Sequence, residues 1–106
     1  MNFKFMRIIL FFDLPTMTKK DLKNYRHFVK YLNDDGFVMY QESVYTKLCL
    51  TPSIVDQTKK KLKENVPPDG FISVLTITET QFSTIENIIG EVKADVIMSS
   101  DKIVKL

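Results

Sequence analysis

Ile8-Ile9-Leu10-Phe11-Phe12-Asp13-Leu14-Pro15 constrains this chain more than any other stretch. Five apolar residues run without a break from Ile8 to Phe12, and a carboxylate and a proline close them off. An apolar run of that length, stopped by Pro, reads as a buried central strand of a sheet. Asp13 then stands at the C-terminal lip of the strand. A charge beside a dry core is costly unless it is paired, hydrogen-bonded or bound to a metal. Asp13 is therefore either an Asx-type turn residue, bonding the loop at Leu14–Thr16, or a residue that carries chemistry. On the residues alone, the turn reading weighs at least as much.

A chain of 106 residues is expected to form one domain, residues 1–106. The 44% hydrophobic share supports a core, and the 26% charged share argues for a soluble protein. No apolar run approaches the roughly 20 residues of a membrane span, so no membrane partner is expected. Lys4 and Arg7 before an apolar stretch resemble a signal peptide only superficially. The stretch is short, ends in Asp-Leu-Pro and lacks a small-residue cleavage site, so a strand is the better reading. Cys49 is the only cysteine. It cannot form an internal disulfide, which fits a reducing cytoplasm, and it reads as a small core hydrophobe. The formal net charge of +2 is unevenly spread. Residues 1–66 hold 12 Lys or Arg against 7 Asp or Glu, and residues 67–106 hold 3 against 6. The basic half points to a polyanionic partner.

Residues 5–13 read as the first strand. Thr18 and Asp21 form a capping-box pattern that opens a helix. Leu22, Tyr25, Phe28, Val29 and Leu32 mark the core face of that helix, and Asp34-Asp35-Gly36 stops it. Residues 37–42 and 43–50 are strand-like and form either one long bent strand or a tight hairpin. Thr51-Pro52 starts a second helix, with Ile54, Val55, Thr58 and Leu62 at helical spacing. Pro67-Pro68-Asp69-Gly70 is a turn, residues 71–78 alternate as a fourth strand, and Thr78 with Gln81 caps a short third helix ending before Gly90. Residues 102–106 are a last strand candidate. This order, β-α-β-β-α-β with a C-terminal strand appendage, predicts an α+β ferredoxin-like fold. Both helices then cover one face of the sheet, and so short a chain has little left to cover the other. A second copy is the natural cover, so a homodimer is expected.

The dimer gives Asp13 a possible partner. A two-fold axis beside it would bring two carboxylates together, and such a pair suits a hard, oxygen-preferring cation such as Mg²⁺. That cation would activate water and offset charge on a scissile phosphate. Lys19, Lys23, Arg26 and Lys30, spaced by 4, 3 and 4, form one stripe of the first helix. They are either a solvated flank or a phosphate-contacting ridge. Lys59, Lys60, Lys61 and Lys63 form a second cluster, but they splay around their helix and are weaker evidence for a directed patch. His27, the single histidine, reads as a surface or boundary residue. Tyr40 and Tyr45 read more readily as core or interface than as base-stacking platforms. Three glycines leave little room for a phosphate-binding loop, and no zinc spacing or nucleophile elbow appears.

Residues 6–15 as a strand-Asp-x-Pro motif, Tyr25-Arg26-His27-Phe28, Gln41-x-Ser43-Val44-Tyr45 and Thr78-Glu79-x-Gln81-Phe82 occur in that order. Together they resemble the small CRISPR-associated endonuclease family that partners the integrase in spacer acquisition. They look most like members from loci with a single large RNA-guided effector nuclease. The resemblance covers about residues 5–106. It implies a ferredoxin-like homodimer in which a short helix and C-terminal strand, residues 79–106, pack on the partner. It implies Asp13 as the catalytic, Mg²⁺-binding residue, acting on single-stranded RNA or double-stranded DNA. It also implies a scaffold role, with integrase subunits flanking the dimer and duplex DNA contacting Lys19, Lys23, Arg26 and Lys30. The alternatives are a toxin-type messenger-RNA interferase of the same fold and a purely structural DNA-binding scaffold.

Overall fold

The computed structural model describes residues 5–91. The apolar run forms β1 (Met6–Asp13). It lies inside a four-stranded sheet of order β2-β3-β1-β4, antiparallel to both neighbours. The flanking strands are β2 (Val38–Gln41), β3 (Val44–Cys49) and β4 (Phe71–Thr78). The register runs from Met6 opposite Cys49 to Phe11 opposite Val44 on one side, and from Met6 opposite Thr78 to Asp13 opposite Phe71 on the other.

Alternation along β1 sends Ile8, Leu10 and Phe12 to one face, where they join Leu14, Phe28, Leu32 and Phe37 in the main core. Phe12 packs edge-on against Tyr25 and Phe28 and stacks on Tyr45. The helices covering this face are α1 (Lys19–Asp34) and α2 (Pro52–Lys63). Thr18 and Asp21 close a full capping box at the start of α1, and Gly36, at φ +94°, turns the chain away from its end. Phe28 and Leu32 are buried as the spacing predicts, and Tyr31 joins the cluster. Leu22 departs from the expectation: it is 40% exposed, because it lies in the first turn, ahead of the part of α1 that meets the sheet. Thr51 caps α2 through its hydroxyl, and Val55, Thr58 and Leu62 are buried beneath it.

The choice between a bent strand and a hairpin is resolved. β2 and β3 are joined through Glu42 and Ser43, and the ladder shifts register between Met39 and Gln41. Ser43 takes the left-handed conformation, φ +67°, that Asn or Gly usually supplies. Its carbonyl accepts a 3.1 Å bond from Phe12 N–H, which ties the turn to β1. Asp35 accepts from Lys47 Nζ at 3.3 Å and Lys61 Nζ at 3.0 Å, linking the end of α1 to β3 and α2. Cys49 is buried as expected, and burial pushes its thiol pKa up.

Among the described residues, the second face of the sheet is covered at one end only. α3 (Glu79–Phe82), capped by Thr78 and Gln81, lays Phe82 against Ile9, with Val38, Tyr40, Val44 and Ile77 around them. Arg7 is buried on this face. Its Nε donates to Glu79 Oε1 at 2.8 Å, its Nη2 meets the other carboxylate oxygen, and its guanidinium carbon lies 4.3 Å from the Phe82 ring centroid. The expected strand at residues 102–106 lies outside the described residues. No helix among the described residues is long and apolar enough to cross a membrane.

Breaking a buried pair leaves an uncompensated charge, so Arg7→Ala is expected to cost about 3–5 kcal/mol. Arg7→Met with Glu79→Leu, which removes both charges, should recover most of it. Urea unfolding measures both; a cost below about 1 kcal/mol for Arg7→Ala would exclude the pair as the anchor of α3.

Candidate metal and nucleic-acid site

Asp13 is the last residue of β1 and is solvent-exposed. Strand alternation places it on the α3 face with Arg7, Ile9 and Phe11, away from α1 and α2. The Asx-turn reading does not describe its surroundings. Among the described residues its side chain makes no hydrogen bond to the loop. The carboxylate that organises the loop is Asp21, whose Oδ2 accepts from Met17 N and Thr18 N, each at 3.1 Å.

The backbone at Asp13 is pressed from the other side by the turn before β4. Gly70 sits at φ +105°, and a Cβ there would lie 2.7 Å from both the Asp13 carbonyl oxygen and Leu14 Cδ2. Leu14 is buried in the main core and plugs the end of the strand. The carboxylate therefore projects from a braced backbone. Gly70 was legible in the sequence as a turn residue, but its contact with Asp13 needs the β1–β4 pairing.

Beside Asp13 the open face is apolar, and no described residue covers it. Phe11 is 42%, Leu75 50% and Phe71 77% exposed. Phe71 stands directly opposite Asp13 in the ladder. Among the described residues there is no group of three or more His, Cys, Asp or Glu side chains able to hold a metal. Among the described residues Asp13 therefore belongs to no such ligand group.

Lys19, Lys23, Arg26 and Lys30 are all exposed on α1, as their spacing predicts. Arg26 and Lys30 line a shallow groove with Tyr25, Val29, Asn33 and Asp34. Lys30 Nζ lies 2.9 Å from Asp34 Oδ2. A hydrogen bond to Asp34, and then its charge, hold the Lys30 ammonium above its usual pKa. In the second lysine cluster Lys61 is engaged by Asp35, whereas Lys59 and Lys63 border a groove floored by Leu62, Val66, Ile72 and Val74. His27 is exposed on α1. Tyr45 is core, and Tyr40 packs on Phe82 and donates to Asn87 Oδ1 at 2.8 Å, so both tyrosines serve the fold.

The family model described as CRISPR associated protein Cas2 matches residues 6–85. A Treponema denticola protein named CRISPR-associated endoribonuclease Cas2 is 45% identical over 101 residues, covering 95% of this chain and all of the relative. A Streptococcus mutans protein of the same name is 44% identical over 101 residues, covering 95% and 93%. A solved structure titled "Crystal structure of cas2" aligns with a TM-score of 0.52 at 17% identity, covering 85% of this chain and 92% of that one; it supports the ferredoxin-like fold.

Gly70→Ala forces a side chain into a left-handed backbone and against the Asp13 carbonyl. It should destabilise the protein by about 1–3 kcal/mol. Asp13 and Leu14 amide resonances should shift while those in the middle of α1 stay. Unchanged Asp13 and Leu14 signals would show that the turn does not brace the carboxylate.

Proposed function

This chain belongs to the CRISPR-associated protein Cas2 family, and from that premise we propose that it is a CRISPR adaptation protein: a two-fold homodimer with metal-dependent endonuclease activity. The observation that carries the proposal is the placement of Asp13. It is an exposed carboxylate with no hydrogen-bond partner among the described residues, on the same sheet face as the exposed Phe11, Leu75 and Phe71. Burying that apolar patch against a second copy supplies a driving force for dimerisation. It also brings the two Asp13 side chains toward one axis.

The residues present fit half of a hard-cation site. Two Asp13 carboxylates would hold one Mg²⁺, with water and phosphate oxygens completing an octahedral shell. The bound cation would supply Lewis-acid activation of water and charge neutralisation at phosphate. The chain's own contribution is positional. β1 and the Gly70 turn hold the carboxylate, and the Phe11 and Phe71 side chains exclude water from the dimer seam. Lys19, Lys23 and Arg26 contact the phosphate backbone without reading sequence, and Lys30, held by Asp34, contributes least.

The relatives' names point to RNA as a nuclease substrate, and the family resemblance adds duplex DNA. In acquisition the dimer presents duplex DNA between integrase subunits, in the cytoplasm, where the reduced Cys49 belongs. The second reading is a DNA-binding scaffold without relevant turnover, and the lack of a metal-ligating group among the described residues favours it. The family match sets the toxin-type interferase behind both.

Asp13→Asn is expected to abolish Mg²⁺-dependent cleavage of single-stranded RNA and duplex DNA while leaving the dimer intact by sedimentation. Cleavage that survives the substitution would place catalysis elsewhere; spacer acquisition in cells that survives Asp13→Ala would make the scaffold role primary. Lys23→Glu with Arg26→Glu should weaken duplex binding and flatten its salt dependence. An unaltered affinity and salt slope would make the stripe a solvated flank.

A further inference from the structure

The basic stripe of α1 does not end as it begins. Among the described residues Lys19, Lys23 and Arg26 make no ion pair. Lys30, one turn beyond Arg26, is taken by Asp34 at 2.9 Å. The pair is exposed, with side chains 73% and 65% accessible, so its i,i+4 spacing and not burial brings the two groups together. Asp34 and Asn33 line the same groove as Arg26 and Lys30. The helix dipole runs in the same sense, positive at the Lys19 end and negative at the Asp34 end. One helix flank therefore attracts a polyanion at the end that follows Asp13 in the chain and opposes it at the far end.

We propose that Asp34 is an end stop for nucleic acid on α1: its carboxylate occupies Lys30 and confines the phosphate backbone to the stretch from Lys19 to Arg26. That stretch spans about 10 Å of helix. The inference rests on the reading of α1 as a nucleic-acid contact. An exposed pair of this kind opens easily, so Asp34 does not lock Lys30 away. A phosphate arriving at Lys30 must instead displace a carboxylate that stays within a turn of it. The strength of α1 as a backbone contact is thereby set below what its four cations would give. A length limit is built into the helix, and it keeps the strand at the Asp13 end.

The test is duplex binding across a salt series, with a mixed-sequence DNA duplex of about 30 base pairs as the probe. Asp34→Asn should tighten binding about threefold at low salt, the effect of removing one screened like charge near a phosphate. It should also steepen the slope of log affinity against log salt by about 0.9 for each Lys30 that gains a phosphate. Lys30→Ala should change wild-type affinity less than about twofold, and should erase the gain in the Asp34→Asn background. Both positions are exposed, so neither change threatens folding. No tightening by Asp34→Asn, or a gain that survives Lys30→Ala, overturns the end stop. If Lys23→Glu with Arg26→Glu still weakens binding in that case, the reading of α1 stands and only the end stop falls. If that pair of changes leaves binding untouched, both fall.

Discussion

Keeping β1 dry on both faces is the constraint that organises the molecule. Residues 8–12 offer apolar side chains to both sides of the sheet, so each side needs a cover. α1 and α2 supply one through Phe28, Leu32, Val55 and Leu62. Among the described residues the other is covered by Phe82 on a four-residue helix, held by Arg7 and Glu79. This unequal cover produces the exposed patch at Phe11, Leu75 and Phe71.

The same imbalance explains why a carboxylate can sit at Asp13. Where α3 stops covering the sheet, the strand reaches solvent, and the cost of a charge falls. The adjoining apolar surface then invites a second copy. Leu14 and Gly70 brace this lip, and the exposed aromatic surface beside it is the proposed docking face. The basic stripe begins at Lys19, the first residue of α1, so the proposed cation ligand and the proposed phosphate contacts share one loop and one helix.

Much of this was legible without coordinates. Thr18 with Asp21, Thr51 with Pro52, and Thr78 with Gln81 are local signals, because a cap involves only residues three apart. The buried run of β1 and the α1 spacing are equally local. The hairpin at Ser43 was ambiguous because a serine in a left-handed turn gives no residue-type signal. Leu22 lies on the periodic face yet is exposed, because periodicity marks a face but not where along the helix that face meets the sheet. Gly70 against Asp13, and Arg7 with Glu79 and Phe82, were invisible because they join residues tens of positions apart.

By itself the sequence determined the element order, the central strand, the caps, the α1 charge stripe and Asp13 as the residue to explain. These follow from residue type and short-range spacing, which the backbone obeys before any long-range contact forms. Only the tertiary structure decided that Asp13 makes no hydrogen bond to its loop, that Gly70 braces its backbone, and that α3 covers one end of a face. Those outcomes depend on sheet register and on which rotamer meets which neighbour.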